Sequence, residues 1–360
     1  MKELLPQISV NNLLSGREKQ LIIAFVIIVA MAVGRLGFFL SFPAGEGHTV
    51  RIVDFPKGSS LRKLADELEK GGVIGSSRIF VLYARLRGVT DKVQAGTYQF
   101  TDAMLPSEIL RKLLSGEVYE KLFAVPEGYS IYQIGELLEG KKLFGKDAFL
   151  KECRNNALLK ESGIHGKSVE GYLYPSTYNL AKIADPAELV RVMVAQFSKV
   201  YNERFADLEK GSGLTRQQIV TLASMVEKEA IVPADKPLIA SVFFNRLKKR
   251  MPLQSDPTAV YGVRPFSGAV TRSDIRSATP YNTYMISGLP PGPIGNPGEG
   301  AIQAVLKPAS TGYYYFVAKN DGTHHFSATL DEHNRAVNLY LKGKGLPVYR
   351  NDRQNITGRR

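Results

Sequence analysis

One stretch near the start of the chain has little freedom in what it can become. Leu21 to Phe42 is 22 residues with a single charge, Arg35. As a helix it reaches ~33 Å, enough to cross the hydrocarbon core of a bilayer. Arg35 costs ~2.5–3.5 kcal/mol at mid-membrane and less near an end, where its side chain snorkels. The surrounding Leu, Ile, Phe and Val residues offset that cost. Lys2, Arg17 and Lys19 precede the span, so the positive-inside bias puts residues 1–20 in the cytoplasm and the chain beyond Ser41 outside it. A cleaved signal peptide is the alternative, but the apolar stretch is long and no clear small-x-small site follows it. Residues 21–42 are expected to be an uncleaved single-span anchor.

The 360 residues suffice for two compact domains with real cores. Cys153 is the only cysteine, which leaves no disulfide framework even in an oxidising compartment. The formal charge of +13 invites a nucleic-acid reading, which an extracytoplasmic location disfavours. No nucleic-acid partner is expected; an anionic polymer or membrane surface outside the cell is a better match. Residues 346–360 read as a solvated basic tail.

An offset of 70 residues brings the chain onto itself. Phe55-Pro56-Lys57-Gly58-Ser59-Ser60-Leu61 aligns with Val125-Pro126-Glu127-Gly128-Tyr129-Ser130-Ile131, and Leu64, Ala65 and Leu68 with Ile134, Gly135 and Leu138. Both copies read as a strand, a Pro-x-Gly turn, a Ser cap and an amphipathic helix. A second helix follows in each, around Ser77–Arg87 and Asp147–Arg154. Between the copies, Ala95–Phe100 reads as a strand, and Ser107 as the cap of a helix running to Leu114. The pattern resembles LysM-like modules, which bind N-acetylglucosamine polymers. Residues 49–158 are thus expected to form a LysM-like α+β region; a packing unit without a ligand fits equally well.

Leu214 to Ala230 is a helix with chemistry at its end. Thr215 and Gln218 form a capping-box pattern, and Ile219, Leu222, Ala223, Val226 and Ala230 recur on one face. At ~100° per residue, Glu227 and Glu229 sit on opposite shoulders of that face. A carboxyl group at the rim of a core is equipped to protonate a glycosidic oxygen. Periodicity does not choose between the two, and two solvated flank residues account for them as well.

From about Gly163 onward the chain is dense in Tyr, Asn, Gly and Pro, as in VEGYLYPSTYNL, FFNRL, LQSDPTAVYG, YNTYMISGLPPGPIGNPG and YYYFVAKNDGTHHFS. Sugar faces stack on aromatic rings, and with no Trp present Tyr must supply them. His324 and His325 are adjacent and point apart on a strand, and no zincin spacing appears, so no metal or other cofactor is expected. G-x-S-x-G, P-loop and dinucleotide fingerprints are absent from the sequence. Acid–base chemistry on a sugar polymer remains, or binding without chemistry.

Taken in order, the single span, the LysM-like region, VEGYLYPSTY, LASMVEKEA, FNRL, LQSDPT, YNTY and GLPPGPIGNPG resemble the MltG (YceG-like) family. Its members are endolytic murein transglycosylases of the bacterial inner membrane. The similarity runs from the anchor to about Lys342. It implies an α+β chain with its catalytic domain at residues 159–345. It also implies cleavage of the bond between N-acetylmuramic acid and N-acetylglucosamine in nascent peptidoglycan strands, giving 1,6-anhydro ends and terminating elongation close to the penicillin-binding synthases. The family's catalytic glutamate is the first carboxylate of V-E-K-E, which is Glu227 here. Glu170, Tyr172, Gln254, Asp256, Tyr281, Asn282 and Tyr284 are the expected glycan contacts; Glu170 and Asp256 also read as turn anchors. The muramic C6 hydroxyl closes onto C1 in such a reaction, so no water is consumed and one carboxyl group suffices, unlike an ordinary glycosidase. A water-using muramidase and a membrane-tethered peptidoglycan-binding scaffold without catalysis are the rival readings.

Overall fold

In the computed structural model, which describes residues 16–265 and 268–341, the apolar stretch forms one helix, α1 (Gly16–Ser41). Over Arg17–Ser41, 25 residues, it is long and apolar enough to cross a membrane. Its last turns behave differently from the rest. Leu36 and Leu40 are half-buried and Phe39 is buried against a protein core, whereas the residues from Leu21 to Arg35 are exposed. Arg35 therefore sits where the exposed run ends. From Arg17 to Arg35 is ~27 Å of helix, close to a hydrocarbon thickness.

The chain divides between Lys121 and Leu122 into two compact units. After α1, the first unit continues with β1 (Val50–Phe55), α2 (Leu61–Lys70), α3 (Ser77–Leu86), β2 (Gly96–Thr101) and α4 (Pro106–Ser115). Strands β1 and β2 pair antiparallel, with Val50 opposite Thr101 and Phe55 opposite Gly96. The Ser60 hydroxyl caps α2, which buries Leu61, Leu64, Ala65 and Leu68. Helix α4 starts two residues earlier than the sequence suggests. Leu105 is its cap residue, Pro106 stands at N1, and the Glu108 carboxylate accepts from the Leu105 N–H at 2.9 Å. Proline's fixed φ and missing donor suit N1, which moves Ser107 inside the first turn.

The second unit opens with the other copy of the repeat: β3 (Leu122–Ala124), α5 (Ile131–Gly140), α6 (Lys146–Glu152), α7 (Asn156–Glu161) and β4 (Thr177–Asn179). Again a capped helix buries the aligned positions, Ile131, Ile134, Gly135 and Leu138, and two antiparallel strands close the turn. Here, however, those residues share one core with buried residues as far along the chain as Val305. The elements that follow are α8 (Pro186–Arg204), α9 (Ala206–Ser212), α10 (Arg216–Glu229), α11 (Lys236–Lys248), α12 (Asp256–Val260), α13 (Arg272–Arg276) and α14 (Glu299–Leu306). The hairpin β5 (Tyr315–Ala318) and β6 (His324–Ser327) and then α15 (Leu330–Tyr340) complete the described residues. The fold is thus α+β, with small antiparallel sheets among helices. Helix α10 lies at the centre, packed against α11, α12 and α14, with Ile219 to Val226 all buried. The basic tail at 346–360 lies outside the described residues.

Candidate active site

The capping box reaches α10 as the sequence suggests: the Gln218 N–H donates to Thr215 Oγ1 and the Thr215 N–H to Gln218 Oε1. The helix runs to Glu229, with Ala230 as its C-terminal cap, and its last turn delivers Glu227, Lys228 and Glu229 to three different surroundings.

Glu227 is held from two sides. Lys236, at the start of α11, donates to Glu227 Oε1 at 2.8 Å, and the Gly298 N–H donates to Oε2 at 3.0 Å. Both members of the ion pair are under a tenth exposed, at 9% for Lys236 and 8% for Glu227. The more exposed Glu127, from the turn of the second repeat copy, lies 3.7 Å from the same ammonium. Gly128 in that turn has φ +76°, and a Cβ there would lie 3.4 Å from Glu227 Cγ. The Pro-Glu-Gly turn thus forms a wall beside the carboxylate.

Glu229 faces the Leu253–Asp256 loop. Ser255 Oγ donates to its Oε1 at 2.5 Å. Burial, and then the nearby Asp256 charge, push its carboxyl up to about 7. Asp256 is itself raised by burial and accepts from the Tyr284 hydroxyl at 2.5 Å. Arg246 closes the other side of the loop, donating to the carbonyls of Pro252, Leu253 and Tyr314 and to Gln254 Oε1. Its neighbour Asn245 donates to the carbonyls of Thr311 and Tyr313. The Phe-Asn-Arg-Leu motif is therefore a strap between α11, the hairpin and the loop.

Beneath both carboxylates lies a buried polar knot. Glu170 is 2% exposed and accepts from the Ile131 N–H, the Tyr261 hydroxyl and Asn296 Nδ2. Burial pushes it up to about 7 despite these donors. Asn296 also donates to Tyr129 O and accepts from the Leu173 N–H, and its own carbonyl accepts from the Gly128 N–H at 2.7 Å. One asparagine thereby ties the Pro-Glu-Gly turn, the Glu170 loop and the 292–298 loop together. The close approach requires glycine at 295, where a Cβ would meet Gly128 O at 2.5 Å. Lys228 lies between the sites, with Nζ donating to Gln133 Oε1 at 3.0 Å and burial pushing it down to about 8.

The expected contact residues separate by depth. Gln254, Asp256 and Tyr284 are half-buried around the loop beside Glu229, and Tyr281 is half-buried nearer Glu170. Tyr281 packs on Tyr261, ring centroids 4.6 Å apart. Tyr172 is buried edge-to-face on Phe197. Asn282 is fully buried, with Nδ2 shared among the carbonyls of Asp274, Ile275 and Ser277. Asp235 accepts from both the backbone N–H and Nδ1 of His324, which anchors the hairpin to the start of α11.

A family model described as the YceG-like family matches residues 53–339. The chain belongs to the YceG-like family. An endolytic murein transglycosylase of Bacillus subtilis (strain 168) is 35% identical over 318 residues, spanning 83% of this chain and 87% of that protein. One of Streptococcus pneumoniae (serotype 2, strain D39 / NCTC 7466) is 29% identical over 367 residues, spanning 91% of this chain and 66% of that protein. A crystal structure of a YceG-like protein from Listeria monocytogenes, 31% identical, matches with a TM-score of 0.57 over 80% of this chain and 98% of that one. In this YceG-like chain, sequence reasoning passed over Lys236, Glu127 and Asn296. Lys236 sits in no motif, while Asn296 was visible only as one letter of the Gly-Asn-Pro-Gly turn.

Proposed function

We propose that this chain is an endolytic murein transglycosylase, with Glu227 as its acid and then its base. The observation that supports this most directly is the held carboxylate. Glu227 is fixed by an ammonium and a backbone N–H at the end of a buried helix, against the Gly128 turn. The names of the Bacillus and Streptococcus relatives point to the same activity.

In the proposed reaction, Glu227 in its acid form gives its proton to the glycosidic oxygen as the bond to muramic C1 breaks. The charge developing at C1 is oxocarbenium-like. The C6 hydroxyl then attacks C1, and its proton passes to the Glu227 carboxylate, which restores the acid. One C–O bond breaks, one forms, and no water enters. Lys236 and the Gly298 N–H keep the carboxylate in one rotamer through both steps, the positional control such a transfer needs. Glu170, Tyr172 and Asn282 are buried and act as supports, while the half-buried Gln254, Asp256, Tyr281 and Tyr284 are the better placed glycan contacts.

The α1 anchor and the basic residues before it support a catalytic unit on the extracytoplasmic side of the cytoplasmic membrane. There it meets nascent strands near the synthases that make them. The strand–helix–helix–strand pattern of the first unit supports a LysM-like glycan-binding or spacing role.

Mass analysis of digested glycan strands tests the proposal. Wild type is expected to release products ending in 1,6-anhydromuramic acid, one water lighter than hydrolytic products, and Glu227→Gln to release almost none. Hydrolytic ends would establish a muramidase, and strands bound but uncut would establish a scaffold.

A further inference from the structure

A second surface, in the first unit, carries chemistry that strand cleavage does not use. Helices α3 and α4 enclose an open groove of about 540 Å³, lined by Tyr83, Arg87, Glu108, Arg111 and Leu114 among others. Arg87 lies over the Tyr83 ring, 5.9 Å from its centroid, and Arg111 is exposed on α4. Glu108 does not cancel this pair on equal terms, because its carboxylate is engaged by the Leu105 N–H at the helix start. Beside the groove, the outer face of α3 presents Leu82 and Leu86, 49% and 68% exposed. At ~100° per residue, Arg87 flanks these leucines on one side, and Arg78 and Arg85 flank them on the other. An exposed apolar strip between arginines is the arrangement of a helix lying at a bilayer interface.

The location of α4 supports the same partner. The packed end of α1 rests against α4, and α4 is 10 residues long, so every residue on it lies within about 15 Å of that contact. Arg35 marks the end of the exposed run of α1, immediately before Leu36, the first of its packed residues.

We propose that this face docks on the bilayer that α1 crosses. Arg87 and Arg111 take the phosphate of an anionic phospholipid headgroup, and Leu82 and Leu86 enter the acyl boundary. Docking sets the orientation of the first unit on the membrane surface. The proposal rests on α1 as the anchor, which is checked separately: a full chain that fails to float with vesicles sinks the anchor reading itself.

The test places a solvatochromic fluorophore at Leu86→Cys in the full chain, reconstituted in vesicles of phosphatidylcholine alone or with a third phosphatidylglycerol. Cys153 is buried, so labelling is confined to the new thiol. The expected result is blue-shifted emission, quenched by nitroxide lipids, in the phosphatidylglycerol vesicles. Adding Arg87→Ser and Arg111→Ser, both exposed positions, is expected to lower the docked-to-free ratio by roughly thirtyfold without changing the melting temperature. Equal water exposure in both vesicles overturns the proposal. So does protection brought about by soluble glycan strands or by inorganic phosphate in phosphatidylcholine vesicles, which would make the groove a sugar site or a free-anion site.

Discussion

Glu227 and Glu229 stand two residues apart on one helix, yet they are placed in opposite ways. Glu227 meets an ammonium and a backbone N–H, both aimed at it, beside the Gly128 turn. Glu229 meets a serine hydroxyl and another acid, and burial pushes it up to about 7. A raised carboxyl alone would select Glu229 as the proton donor. In the proposed reaction position favours Glu227 instead, because Lys236 and the Gly298 N–H, from two separated segments, converge on its one carboxylate. The difference teaches that a shifted pKa marks a buried acid, while convergence marks a site.

The sharpest way to break this comparison is to remove each carboxylate in turn. Glu227→Gln is expected to lower strand cleavage by about 10²–10⁴-fold, read well below the melting temperature because the change also takes the nearest charge partner from Lys236. Glu229→Gln is expected to retain activity within about tenfold, since it removes a support and no transferred proton. Initial rates on purified strands decide, and a reversed pattern transfers the acid role to Glu229.

Lys236 extends the contrast to stability. Its side chain and that of Glu227 are 9% and 8% exposed, so Lys236→Met leaves a nearly buried carboxylate without its partner. The expected loss is about 3–5 kcal/mol in chemical denaturation. Pairing it with Glu227→Gln is expected to recover most of that loss. Additive losses in the double variant would show that the pair carries no coupling.

How much of this was legible in the sequence follows from where the partners lie. The cap, the buried face and the end of α10 are local, and they read directly from Thr215, Gln218 and the apolar spacing. The repeat was legible for the same reason, since turn, cap and helix follow one another along the chain. The choice between the carboxylates was not legible in the spacing. Lys236 is nine residues from Glu227, Gly298 is 71 away, and the Asn296–Tyr129 bond spans 167. Contacts of that separation leave no periodic trace; only ordered family motifs carried them. Burial of Asn282 and Glu170 was hidden likewise, because polar letters in Gly- and Pro-rich loops read as surface unless the loops fold over one another.

The two raised carboxyls give the next prediction a definite sign. Glu170 and Glu229 both rise from 4.5 to about 7 on folding, so the folded state holds these protons more tightly than the unfolded chain. Their contribution is fully present below about pH 4.5 and is lost as pH rises toward 7, by roughly 3 kcal/mol for each at most. Glu229→Gln is expected to flatten its share of that slope in denaturation curves from pH 4.5 to 8. Glu170→Gln flattens the slope too, but also lowers stability throughout, because an amide nitrogen then faces the Ile131, Tyr261 and Asn296 donors. A slope left unchanged by Glu229→Gln would show that its carboxyl takes up no proton on folding.

The smallest effect isolates the helix from its chemistry. Thr215 caps α10 at the end remote from the carboxylates, through a reciprocal pair with Gln218. Thr215→Ala removes the side-chain acceptor, and about 1 kcal/mol of stability is expected to go with it. The last turn, held by Lys236, Gly298 and Ser255, stays where it is, so the per-molecule cleavage rate at temperatures well below melting is expected to match wild type. If that rate fell as far as the rate of Lys236→Met, placement of Glu227 would depend on the whole helix. The convergent contacts would then have no separate role, and the contrast between the two glutamates would reduce to their position on α10.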